Sequence, residues 1–401
     1  MGIWAVAMER AFGWNRTQLS LALSFTRVEG GILGPVEGYL VDRFGTKRMV
    51  LIGMIIMGLG WLVFSRVNHL LIFYFAYLVI ALGQGLGSWL ALNTMMNNWF
   101  VRKRSFAMGT SNALARFGSL FFVPLLAWLV DPDFLDRPGW SLTAFMLGII
   151  TILLAFPLTS LLRNRPEDYG LLPDGDTEDD LRRRREAAVS SGIRIDPQYD
   201  FTVQQALRTP AFWFISLGHG FTSMVLLAFM LHLAPMMTDM GYSLQTAAFV
   251  VSGYTAVSMV FQLIGGYVGD RVPKNIALLM FTLCQAFGVF ILTFGPPNLL
   301  SAYGFALLFG IGFGGRNPIS SSIRGDYFGR KHYGKIMGIS QVPMNVLLLI
   351  GPIFAGVMRD STGTYQTAFA VLGVMAVVGG FCFLFAKKPV HPDSYSAISP
   401  V

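Results

Sequence analysis

The stretch Gly38-Tyr39-Leu40-Val41-Asp42-Arg43-Phe44-Gly45-Thr46-Lys47-Arg48 sets one acid and three bases between two long apolar runs. It returns 228 positions later as Gly266-Tyr267-Val268-Gly269-Asp270-Arg271-Val272-Pro273-Lys274. Glycine, tyrosine, aspartate and arginine recur at 38/266, 39/267, 42/270 and 43/271. The same offset aligns Phe100-x-Arg102-Lys103 with Phe328-x-Arg330-Lys331, and Pro124 with Pro352. One constant shift over so much chain marks two related halves.

Composition fixes the class to which the halves belong. Of the 401 residues, 54% are hydrophobic and 13% charged, and the mean hydropathy is +0.56. These values exclude an ordinary soluble domain. The apolar residues fall in repeated runs of about 20 or more, the length a helix needs to cross a bilayer. Two related membrane halves predict a secondary transporter. The net charge of +8 could point to nucleic acid, but the bases sit in short loops between apolar runs, as a positive-inside bias requires. No nucleic-acid partner is expected. Cys284 and Cys382 lie inside expected spans and read as packing residues, without disulfide or metal. No P-loop, HExxH or GxSxG motif interrupts the runs, so neither an enzyme nor a cofactor is expected.

Spans are expected at 17–41, 46–66, 69–97, 103–130 and 140–162, then at 210–237, 244–269, 274–295, 298–324, 333–358 and 364–386. Met1 to Met8 is an apolar stub that rises only about 12 Å as a helix, short of the roughly 30 Å hydrocarbon core. It reads as the end of a first span that begins about 10–25 residues upstream of an incorrectly placed start, since a span needs ~20 residues. A genuine deletion or an eleven-span protein is the alternative. The expected architecture is all-α and integral to the membrane, about eleven complete spans plus the stub. The divisions are an N-terminal half over 1–162, a polar linker over 163–209, a C-terminal half over 210–386 and a tail over 387–401. The linker carries Glu178-Asp179-Asp180 and Arg182 to Arg185, charge blocks that suit a solvated segment with one surface helix. Of 30 Lys and Arg, 22 fall in the motif loops, linker and tail, five on the opposite side and three within spans. That excess puts the linker and C-terminus in the cytoplasm of a cell whose plasma (inner) membrane holds the chain.

The loop at Gly38–Arg48 resembles the G-x-L-x-D-R-x-G-R-K/R signature of the major facilitator superfamily, with Thr46 before Lys47 and Arg48. The second copy lacks the second glycine. Arg165-Pro166-Glu167-Asp168-Tyr169-Gly170 and Asp326-Tyr327-Phe328-Gly329 are similar to loop signatures of the bacterial monocarboxylate and oxalate–formate antiporter-like branch. The resemblance implies a fold of two six-helix halves and a cytoplasmic gating latch made of Gly38, Asp42, Arg43, Gly45, Lys47, Arg48, Gly266, Asp270 and Arg271. Asp42 would take helix N-terminal amides and pair with a base. It also implies alternating access by a monomer, with a small-molecule substrate, membrane lipid, and protons or a counter-anion as partners. Members of that branch carry a base on the eighth or eleventh span, and neither span has an internal charge here, so substrate identity does not carry over.

An ionisable side chain at membrane depth marks function by default. Arg316 stands about ten residues before Asp326, or roughly 15 Å into the membrane, in the glycine-rich, proline-broken setting Gly310-Ile311-Gly312-Phe313-Gly314-Gly315-Arg316-Asn317-Pro318. The resemblance makes its span one of four that line the cavity. Its planar fork suits a carboxylate; the competing reading is an internal pair with Glu29 or Glu37. Arg116 and Arg27 are further deep bases, and Gln84, Asn93 and Tyr254 offer neutral hydrogen bonds. Glu29 and His219 are the proton-coupling candidates. The expected function is transport of a small organic anion, a carboxylate, by proton symport or anion exchange. A carrier of neutral or drug-like solutes, a channel, and an inactive truncated protein are the alternatives.

Overall fold

Inside a bilayer every backbone N–H and C=O must be satisfied within the segment, and for a single apolar run only the helix achieves this. The computed structural model describes residues 2–130, 139–190 and 200–392, and among them there are helices, turns and loops but no strand. The helices are α1 Gly2–Phe12, α2 Arg16–Phe44, α3 Thr46–Phe64, α4 Leu70–Gly87, α5 Trp89–Trp99, α6 Arg104–Val130, α7 Gly139–Leu161, α8 Glu178–Ser190, α9 Val203–Leu207, α10 Pro210–Asp239, α11 Leu244–Gly269, α12 Lys274–Phe294, α13 Leu299–Phe328, α14 Tyr333–Thr362 and α15 Gln366–Phe385. Among the described residues, ten helical stretches are long and apolar enough to cross a membrane, with α4 and α5 taken together. The 29-residue α2 is also long enough, but it carries Arg16, Arg27, Glu29, Glu37, Asp42 and Arg43.

The chain divides into two compact units. One holds Met1–Met95, Leu114–Arg165 and Met337–Val342; the other holds Met96–Ala113, Pro166–Ile336 and Pro343–Val401. In the first unit α3 packs on α4 and α7, and α2 on α4. Its core is aromatic: the Trp4 ring lies 4.9 Å from Trp61 and 5.4 Å from Phe64. Trp14 stacks on Phe12 at 4.6 Å and tilts against Phe73 at 5.2 Å. In the second unit α13 is flanked by α11 and α12, and α15 by α10 and α12. Phe229, Phe305, Phe309, Phe369 and Tyr254 fill the middle of that core. Many outward side chains remain apolar, such as Phe121, Phe122, Met280 and Phe287, as expected where lipid rather than water covers the surface.

Two backbone features depart from the expected spans. The glycine- and proline-rich segment of α13 is not broken: the helix runs through Pro318 from Leu299 to Phe328. The glycines serve packing instead. A Cβ on Gly314 would sit 2.4 Å from the Ser258 carbonyl oxygen of α11, and one on Gly315 would sit 2.3 Å from the Phe281 ring of α12. The neighbouring helices approach closely enough to keep α13 continuous despite the hydrogen bond that Pro318 removes. The interruption occurs in the other half, where Ser88 separates α4 from α5 at φ −116° and ψ −111°. Ser88 is the repeat partner of Arg316, 228 positions earlier.

The polar segment between the repeats is anchored to the second unit. Asp174, with a left-handed φ of 62°, accepts the backbone N–H of Arg102 at 3.0 Å and of Lys103 at 3.2 Å, just ahead of α6. Asp200 Oδ1 accepts the N–H of Arg330 at 2.6 Å and of Lys331 at 3.0 Å. Arg330 Nη2 meets Glu167 at 2.7 Å.

Candidate functional site

Asp270, in the second copy of the repeated loop, sits where α11 ends and faces the start of α6. Its two carboxylate oxygens accept the backbone N–H groups of Ser105 at 2.8 Å and Phe106 at 2.9 Å. An acid here satisfies donors that a helix N-terminus leaves unpaired. A Cβ on Gly266 would lie 2.6 Å from the Ser105 carbonyl oxygen, so the missing side chain permits the approach. The buried Lys274 ammonium lies 3.6 Å from Asp270 and 3.0 Å from Asp326, and donates to Ser105 Oγ at 2.8 Å. Arg104, fully buried, meets Asp326 at 2.5 Å. Two buried cations thus share two carboxylates, a balance that lets charge remain inside protein. Asp326 is the last acid of α13 and the counter-ion of this network, although the sequence read it as part of a loop signature.

The first copy has a different neighbour. Gly45 carries φ 84°, and a Cβ there would come 2.7 Å from the Asn164 amide nitrogen. Asn164 Oδ1 accepts from Lys47 N at 2.9 Å and Thr46 Oγ1 at 3.1 Å, capping α3. Gly38 is buried, Asp42 half-buried, and Arg43 and Arg48 exposed, with Lys47 between. Arg43 donates to the Tyr39 hydroxyl at 2.7 Å; its repeat partner Arg271 lies over the Tyr267 ring at 3.5 Å.

The deep polar residues of the second unit converge between α10 and α13. Arg316 is 1% exposed, and its Nη1 donates to Thr222 Oγ1 at 2.5 Å. Thr222 in turn donates to the Gly218 carbonyl at 2.9 Å. Among the described residues of this unit no carboxylate pairs with Arg316, and its Nε makes no hydrogen bond. Gln285 of α12 also reaches Thr222, through the backbone carbonyl at 3.4 Å. Two turns along α13, the buried Arg324 donates to the Ser320 carbonyl, and its Nη2 lies 3.3 Å from His219 Nδ1. A guanidinium has only donors, so in this contact Nδ1 is the acceptor. Arg316, Ser320 and Arg324 recur every four residues and therefore share one face of α13. Thr222 and His219, three apart on α10, answer them.

The other sequence candidates fall elsewhere. Tyr254 belongs to the aromatic core, edge-on to Phe309 at 5.4 Å. Asn93 donates to the carbonyl of Trp89, one turn back in its own helix, at 2.7 Å. Gln84 is exposed on α4, and Arg116 is half-buried on α6. The side chains of Arg27 and Glu29 lie outside the described residues. Thr222 and Arg324 were missed. The expected span 298–324 ends at Arg324, but α13 continues four residues further to Phe328. The spacing of Arg324 from Arg316 was the available signal.

The chain matches the Major Facilitator Superfamily over residues 1–249 and 212–399. It is 26% identical to monocarboxylate transporter 13 of Bos taurus, across 95% of this chain and 85% of that protein. It is 22% identical to the oxalate:formate antiporter of Oxalobacter formigenes, across 94% and 84%. Among solved structures, the fucose:proton symporter FucP in its outward conformation superposes with a TM-score of 0.73 at 17% identity, covering 97% of this chain and 94% of the other.

Proposed function

The chain belongs to the Major Facilitator Superfamily, and from that premise we propose that it carries a small organic anion, a carboxylate, across the membrane by alternating access. The observation that carries this reading is Arg316, a buried guanidinium whose one hydrogen bond among the described residues of its unit goes to a hydroxyl. A charge buried without a counter-ion is expensive. A carboxylate solute supplies the missing partner and gains charge-assisted hydrogen bonds at low dielectric. The relatives named for monocarboxylate and for oxalate and formate support the same class.

His219 and Arg324 supply a route to coupling. A proton added at His219 Nδ1 removes the acceptor for Arg324 and sets two cations side by side, so the pair separates. An anion nearby offsets that repulsion, which links proton and anion occupancy. Anion entry against a negative-inside potential costs about 2.3 kcal/mol per charge per 100 mV, and a co-transported proton cancels it. Glu29 is the second candidate carrier, and exchange of one anion for another is the other way to the same balance.

The test is counterflow in proteoliposomes preloaded with monocarboxylates, dicarboxylates or neutral analogues. Accelerated exchange of a carboxylate is expected, which a channel does not give. Arg316→Gln should abolish it and Arg316→Lys should retain part of it, because the charge survives while the fork is lost. Normal carboxylate exchange by the Gln variant overturns the reading.

A further inference from the structure

A surface cleft of about 1290 Å³ opens beside the second copy of the repeated loop. All its lining residues belong to the second unit. Its inner wall holds the neutralised set, Arg104 and Lys274 against Asp326 and Asp270. Arg102 at the margin is paired with Asp174 and Asp176. Lys103, Arg271, Lys387 and Lys388 remain on the rim, all exposed. Among the described residues none of the four has a carboxylate partner, so the acids of the cleft are used up and its outer half is cationic.

The surroundings of this patch separate it from a merely solvated rim. Val260, Leu263, Ile264 and Tyr267 are exposed on α11, and their spacing of three and four puts them on one helix face. That face ends at Arg271, whose guanidinium lies over the Tyr267 ring at 3.5 Å and donates to its carbonyl at 3.3 Å. From Val260 to Arg271 the stripe rises about 16 Å, close to one leaflet of a hydrocarbon core of roughly 30 Å. Phe106 of α6, which lines the cleft, adds exposed apolar surface. An apolar track of one leaflet's depth leading to four bases that have no carboxylate partner among the described residues fits an amphiphile with an acidic head.

We infer that this cleft binds the headgroup of an anionic phospholipid, with an acyl chain lying along the α11 stripe. The phosphate accepts from Arg271 and Lys103, and Lys387 and Lys388 close over it from the end of α15. The second copy of the loop, which caps α6 through Asp270, is thereby also a lipid site, and the inference stands whatever the transported solute is. A free phosphate would satisfy the bases but leave the stripe without purpose.

Native mass spectrometry of the full chain, delipidated and titrated with phosphatidylglycerol or with phosphatidylcholine of the same chains, tests this. Retention of phosphatidylglycerol over phosphatidylcholine is expected. Lys387→Gln with Lys388→Gln, both exposed, should weaken phosphatidylglycerol binding about fivefold per base, the equivalent of ~1 kcal/mol each. Arg182→Gln with Arg183→Gln on α8 removes the same charge outside the cleft and should leave binding unchanged. Millimolar inorganic phosphate should fail to displace the lipid. Equal binding of both lipids, equal weakening by the two double variants, undiminished binding in the Lys387/Lys388 variant, or displacement by phosphate each overturns the site.

Discussion

At the residue scale the decisive question is which charges are neutralised inside the protein and which are left for something else. Asp326 answers for two buried cations, Arg104 at 2.5 Å and Lys274 at 3.0 Å. Asp326→Asn should therefore cost about 3 kcal/mol of stability, the low end for breaking a buried pair, because the carboxylate is itself 30% exposed. Arg102→Gln, which removes a pair on the exposed side of the same helix start, should cost under ~1 kcal/mol. Thermal unfolding of both variants in the same detergent gives the ordering; equal midpoints would mean that Arg104 and Lys274 find solvent or another acceptor. Arg316 is the opposite case, a buried base whose partner is a hydroxyl. Its depth could be counted from the sequence, since a helix rises by a fixed amount per residue. Its environment could not: Thr222 and Arg324 are ordinary in the sequence, and only the packing of α10 on α13 gives them meaning.

At the scale of the element, α13 shows how glycine can mean closeness instead of flexibility. The run from Gly310 to Pro318 reads as a broken helix because both residue types weaken one. The structure keeps it continuous because α11 and α12 press against it on both sides. Gly265 of α11 meets α13 backbone to backbone: a Cβ there would lie 2.3 Å from both the Cα and the carbonyl oxygen of Gly315. Backbone cannot rotate away as a side chain can, so Gly265→Ala should cost ~1–3 kcal/mol, as overpacking does. Gly118→Ala is the control, since nothing lies within 4 Å of its added methyl, and a helix gains slightly from the exchange. A Gly265→Ala protein that unfolds at the same temperature as Gly118→Ala would refute the close approach. Span positions were legible because apolar runs have to match membrane thickness. Span ends were less so, because a helix continues past the last apolar residue wherever polar side chains find partners, as Arg324 and Asp326 do at the end of α13.

At the scale of the whole molecule, the offset of 228 residues decided the architecture before any single residue could decide the function. A repeat constrains the entire chain, whereas a binding residue is visible only against its neighbours. The same reasoning predicts an orientation in the membrane. Of the 30 bases, 22 lie in the motif loops, linker and tail and only five on the opposite side, and a positive-inside bias predicts the cytoplasm for the richer side. The linker adds a second argument, because Asp174 and Asp200 tie it to the loops that precede α6 and α14. Those loops and the linker must therefore share one side. An epitope tag placed between Asp174 and Gly192 should be inaccessible to impermeant reagents in intact cells, and one near Asp133 should be labelled. Labelling of the first tag with protection of the second would invert the chain. It would also move the Lys387 and Lys388 cleft to the outer leaflet.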